Sequence, residues 1–132
     1  MEKLPPHDLD AEEAVLGSLL IDGAAIYRIT GQLAEPDYFF DERHQWLYGA
    51  CLELNKRDEA INQITVAQEL DRQDKLDRCG GSAYLSHLVS MVPTSLDIEY
   101  YAQIVYRLSI SRRLIDAARR IETIGYDVDP DV

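Results

Sequence analysis

The sequence predicts an all-α fold, a small globule of about five helices plus a long C-terminal helix that forms the first arm of a helical hairpin. Three observations predict it. Apolar residues recur at steps of three and four in one segment after another. No stretch alternates with period two over six residues. The single Asp-Gly pair, Asp22-Gly23, is flanked by alanine-rich helical sequence rather than β-branched runs. Asp97 to Gly125 contains no proline and no internal glycine.

Leu4-Pro5-Pro6-His7 reads as an extended leader, because each proline fixes its own φ and biases the preceding residue away from helix. Asp8 or Asp10 then caps a helix running to about Ile21. Glu12 and Glu13 fall in its first turn, as a solvated face that the macrodipole favours. Ala11, Ala14, Val15, Ser18 and Leu19 make its inner face. Asp22-Gly23 stops it, and a short helix follows over about 24–33 with Ile26, Ile29 and Leu33 apolar.

Glu35-Pro36-Asp37-Tyr38-Phe39-Phe40 is a break with aromatic anchors. Asp41 caps a third helix over about 42–56, whose stripe is Leu47, Ala50, Cys51 and Leu54 with Trp46 beside it. Asn62 caps a fourth over about 63–73, burying Val66, Ala67 and Leu70. Gly80-Gly81 punctuates the chain, and Ser82 opens a fifth helix to about Met91, ended by Pro93. The organisation is thus a globular part over 1–96 and a long helix with the start of a hairpin over 97–132.

The last helix carries the most information. Asp97 is its expected cap and Gly125 its expected C-terminal glycine. At 1.5 Å per residue it would be roughly 40 Å long, more than a small globule is wide. Ile98, Tyr101, Ala102, Val105 and Leu108 form a docking stripe. Ile110, Leu114, Ala117, Ile121 and Ile124 then step by 4, 3, 4 and 3, a heptad-like oligomerisation seam. Ile115 and Ala118 add a second apolar edge. Both edges can pack on the globule itself, or one can take a second copy. Asp129-Pro130 has the form of a new helix start, so the chain reads as a fragment of a longer protein whose return arm lies beyond Val132.

The formal net charge of −11 opposes strong nucleic-acid binding by this chain alone. Signal-peptide and membrane-span patterns are lacking, and the expected location is the cytoplasm, away from membranes. Cys51 and Cys79 have no CxxC partner and read as reduced core residues. There is no P-loop, GxGxxG, HExxH or GxSxG, so no catalytic residue and no metal ligand is assigned. His7, His44 and His87 read as capping or half-buried structural residues. Tyr100-Tyr101 suggests a base-stacking platform, but the charge opposes it and Tyr101 falls on the inner stripe. Arg112-Arg113 and Arg119-Arg120 read as solvated helix edges, with phosphate contact as the alternative.

Several motifs in one order carry a resemblance. They are Pro5-Pro6-His7-Asp8-Leu9-Asp10-Ala11-Glu12-Glu13-Ala14-Val15-Leu16-Gly17-Ser18, Pro36-Asp37-Tyr38-Phe39 with His44-Gln45, and Gly80-Gly81-Ser82-Ala83-Tyr84-Leu85. Val92-Pro93-Thr94-Ser95 follows, then Ile98-Glu99-Tyr100-Tyr101-Ala102-Gln103-Ile104-Val105 and Arg112-Arg113-Leu114-Ile115. Together the sequence resembles the N-terminal domain of bacterial replicative DNA helicases of the DnaB type, over nearly its whole length. The resemblance implies a parent that is a ring hexamer unwinding DNA 5′ to 3′, with ATP and Mg in a RecA-like C-terminal domain outside this chain. The fragment itself would need no cofactor and would not be an enzyme. It implies hairpins that pair into dimers, three dimers forming a collar, and docking of the C-terminal domain of a DnaG-type primase. Carried over by motif, the primase contacts fall on Asp10, Tyr84, Ile115 and Ile121, with a buried core tyrosine as the other reading of Tyr84 and hairpin pairing as the other reading of Ile115 and Ile121. A helicase loader is a further candidate partner, and DNA is met only through the full ring. Asn62-Gln63-Ile64 departs from the family's usual acidic residue followed by Leu or Val, yet Asn caps about as well as Asp. The alternative function is a domain that guides single-stranded DNA at the ring entrance through Arg112, Arg113, Arg119 or Arg120. Nothing supports a stand-alone enzyme.

Overall fold

The computed structural model describes residues 3–128, and no strand occurs among them. The five α-helices are α1 (Leu9–Ile21), α2 (Glu42–Lys56), α3 (Gln63–Arg72), α4 (Gly81–Ser90) and α5 (Ile98–Tyr126). Short 3-10 helices run over Gly23–Arg28, Pro36–Tyr38 and Asp77–Cys79. The Asp129-Pro130 helix start lies outside the described residues.

α1 is the axis of the globule and touches all four other α-helices. Asp8 is its cap, accepting from the Ala11 N–H at 3.0 Å. The expected inner face is buried, but so are Leu16, Gly17 and Leu20 on the other sides. Gly17 is needed because a Cβ there would collide with the Leu88 carbonyl of α4. α2 and α3 begin where their caps place them. Asp41 accepts from the Arg43 N–H, and Asn62 and Thr65 form a reciprocal capping box. Leu47, Ala50, Cys51 and Leu54 of α2 join Val66 and Leu70 of α3 in the core. Both cysteines are free and buried, and burial pushes the Cys51 thiol up to about 12 and the Cys79 thiol up to about 11.

Four local expectations change. The helix expected over 24–33 is a 3-10 turn over Gly23–Arg28 followed by irregular backbone that still buries Ile29 and Leu33. Flanking glycines and β-branched Ile26, Ile29 and Thr30 are poor helix formers, and apolar residues three apart suit three residues per turn. α4 opens at Gly81 rather than Ser82, because Gly80 at φ +99° reverses the chain in the left-handed region. Asp97 makes no side-chain cap, since its backbone is already turned toward helix (φ −97°, ψ 15°) rather than extended. Gly125 lies within α5, which continues to Tyr126.

α3 is tied back to α2 by a charge cluster. The Glu69 carboxylate, 1% exposed, meets the Arg57 guanidinium at 2.7 Å and that of Arg72 at 2.8 Å. Hydrogen bonding from Arg72 holds its pKa down to about 2, against the opposing effect of burial and with help from Arg57. A carboxyl depressed in the folded state stabilises the fold above its unfolded pKa and loses that contribution as the pH falls. The stability gap between wild type and Glu69→Gln, followed by urea unfolding, is therefore expected to be full at neutral pH. It should close between pH of about 4.5 and about 2. A gap independent of pH would mean that the carboxylate's charge contributes nothing.

α5 has 29 residues and so extends about 43 Å. Its first half closes the core through Ile98, Ala102, Val105 and Ser109, and α1 is its main neighbour. Tyr101 is half-buried against this core. Beyond Ser109 no residue of α5 is buried, so the second half leaves the globule.

Candidate functional site: a polar row and an uncovered helix

Two features converge on the sequence-nominated residues. The first is a row of polar side chains across the start of α1. Glu12 is 1% exposed, not solvated as expected. Its Oε2 accepts from the Phe40 N–H at 2.7 Å and its Oε1 from the Asp41 N–H at 3.3 Å, while His44 Nδ1 lies 2.7 Å from Oε1. The carboxylate thus serves the backbone donors that lead into α2. Glu12 steps by three, four and seven to Val15, Leu16 and Leu19, and that apolar periodicity was the available sign of its burial.

His44, also 1% exposed, passes the row on, with Nε2 2.6 Å from the Tyr84 hydroxyl. Tyr84 donates to Glu13 Oε2 at 3.1 Å, and His87 Nε2 stands 3.1 Å from the same oxygen. The Tyr84 ring lies nearly parallel to the imidazoles of His44 and His87, whose centroids are 6.0 Å and 5.8 Å away, and the Arg43 guanidinium sits over it, 4.4 Å from its centroid. Burial and the Glu13 charge push the Tyr84 phenol well above its usual range, so it remains a neutral donor. Gly80 approaches the Tyr84 Cβ closely enough that a side chain there would displace it. Tyr84 is therefore a fixed, half-buried aromatic. Asp10, exposed, sits three residues before Glu13 and so on the same side of α1. Tyr84 is bonded to Glu13, one helical turn after Asp10 on α1.

The second feature is the outer half of α5. Leu114, Ile121 and Ile124 are 66%, 70% and 72% exposed. Ala117 is exposed too, whereas Ile110 is half-buried at the root of the seam. Ile115 stands apart, half-buried in a cleft between α5 and the leader. Arg112 is not a solvated edge. It donates to the Pro6 and Tyr38 carbonyls, both at 2.8 Å, and lies over the Phe40 ring, on which His7 stacks from the leader. Burial lowers its pKa from the ordinary arginine value. Those two carbonyls occupy the fork, which withdraws Arg112 from phosphate contact. Arg113 lies over the Tyr38 ring, while Arg119 and Arg120 are exposed and have no ion pair among the described residues. No helix among the described residues is long and apolar enough to cross a membrane.

Residues 4–107 match the model of the DnaB-like helicase N terminal domain. Replicative DNA helicase DnaC of Bacillus subtilis is 40% identical over 131 residues, covering 99% of this chain and 29% of that protein. The chain thus spans under a third of that relative's length. The crystal structure of the N-terminal domain of DnaB helicase from Mycobacterium tuberculosis superposes with a TM-score of 0.92 at 41% identity, covering 97% of this chain and 90% of that one. A DnaB-like replicative helicase, solved with a description of its interactions with primase, superposes with a TM-score of 0.79 at 25% identity. That match covers 91% of this chain and 28% of the other.

Proposed function

The chain belongs to the family of DnaB-like helicase N-terminal domains, and on that premise we propose that it is the collar module of a replicative DNA helicase, which assembles the ring and docks primase. The observation that carries the assembly half is the exposed seam of α5, with Leu114, Ile121 and Ile124 each about two-thirds uncovered or more. Covering one such side chain contributes roughly 1.5–3 kcal/mol, which favours pairing with the same seam of a second copy. Pairs of this kind, three to a ring, would build the hexamer.

The primase half rests on the similarity to a DnaB-like helicase described with its interactions with primase. Asp10, Tyr84, Ile115 and Ile121 are the proposed contacts. Tyr84 suits the role, because a rigid half-buried aromatic loses little side-chain freedom on binding. In this reading unwinding belongs to the parent helicase in the cytoplasm. ATP and Mg would be held in its C-terminal domain, and a loader would act on the assembled ring.

Sedimentation over a rising concentration series tests the assembly half. The wild-type chain is expected to self-associate, and Ile121→Glu to weaken association by about a hundredfold at unchanged helicity, because a carboxylate in an apolar seam must be desolvated. A monomer at every concentration, indifferent to Ile121→Glu, would remove the seam from the argument.

A further inference from the structure

The cleft between the leader and α5 has a charge unlike the rest of the molecule. Residues 107–120 carry five arginines against Asp116 alone, in a chain of net charge −11. The cleft encloses about 310 Å³, with Ile115, Arg113 and Arg119 along one side and Pro5 and Asp37 along the other. Arg113 is held in place by the Tyr38 ring 4.3 Å from its guanidinium carbon. Its one ion pair among the described residues is with Asp37, 3.8 Å away, 74% exposed and beyond hydrogen-bonding distance, while Asp116 lies one helical turn further along the same cleft. Arg119 has no ion-pair partner among the described residues. Two guanidinium forks, one of them already oriented by stacking, therefore stand beside a half-buried isoleucine with their donors open.

We propose that this cleft receives an acidic side chain of the docked primase domain, an Asp or Glu carried beside an apolar anchor on an amphipathic helix. The carboxylate sits against Arg113 and Arg119 and the apolar anchor covers Ile115. The inference rests on the primase reading above and adds the electrostatic half of that contact. A carboxylate matches the planar fork of arginine and can take two hydrogen bonds from it, which Asp37 at its present distance does not. Nucleic acid fits the cleft less well. Arg112 is spent on two carbonyls, and a chain of net charge −11 repels a polyanion far more than it repels one carboxylate.

Calorimetric titration of this chain with the C-terminal domain of a DnaG-type primase, at low and at high salt, tests the proposal. Arg119→Glu and Arg113→Glu are each expected to weaken binding by about tenfold or more at low salt, with a flatter salt dependence and unchanged helicity. Arg119 is exposed on a helix that already protrudes, so its substitution does not depend on the core surviving. Unchanged affinity in both variants, with wild-type binding intact, overturns the cleft assignment and leaves primase docking standing. No binding by the folded wild-type chain overturns the primase reading and this inference with it. Labelled single-stranded oligonucleotide bound as tightly as the primase domain, and released by Arg119→Glu, would assign the cleft to nucleic acid instead.

Discussion

Glu12→Ala is expected to lower the unfolding free energy by about 3–5 kcal/mol, measured by urea denaturation at neutral pH. The carboxylate is buried and accepts from two backbone N–H groups while facing a buried imidazole. Removing it leaves three polar groups without a partner at the start of α2. Domains of this size are stable by about 5–15 kcal/mol, so a large part of the total is at stake. Glu12→Gln separates charge from hydrogen bonding. Its amide oxygen can still accept from Phe40, and its NH₂ can face His44 if that nitrogen accepts, so a loss of about 1–2 kcal/mol is expected. If alanine costs no more than glutamine, the backbone donors are not held by Glu12 and the polar row does not organise this end of the globule. The same row carries Tyr84, so Glu12→Ala should also loosen the surface on which primase docking is proposed.

Arg112→Ala is expected to cost about 2–3 kcal/mol, through the loss of two charge-assisted hydrogen bonds. Its guanidinium joins three segments far apart in the chain, the leader at Pro6, the aromatic break at Tyr38 and the point where α5 leaves the globule. The second consequence is local. The leader would be released from α5, and limited proteolysis should cut before Asp8 faster than in wild type while the core stays protected. Arg112→Lys should rescue only part of the loss, because a single ammonium cannot span both carbonyls in one plane. Equal proteolysis of wild type and Arg112→Ala would show that the leader is held by its own packing, chiefly the stack of His7 on Phe40.

Most of the architecture was legible in the sequence because it depends on interactions a few residues long. Asp8, Asp41 and Asn62 each cap through an N–H two or three positions on, and the helices begin there. The proline-free run to Gly125 gave a single long helix, and its 4, 3, 4, 3 spacing marked the seam that the structure leaves uncovered. The buried residues of α2 and α3 follow the same periodicity.

The tertiary structure decided which polar side chains are used, and where. Glu12 looks solvated from its first-turn position, yet its partners are 28 to 32 positions away, on the bend that leads into α2 and on His44. Arg112 looks like a helix edge until the leader, 106 positions earlier, lies across it. Tyr84 could be core or surface from its spacing, and only the meeting of α1, α2 and α4 made it a fixed half-buried aromatic. Helix periodicity and capping are set by neighbours along the chain, so they survive in the sequence alone. The fate of a charge depends on whether distant backbone donors or carbonyls arrive to replace its water, and that is settled only when the helices pack.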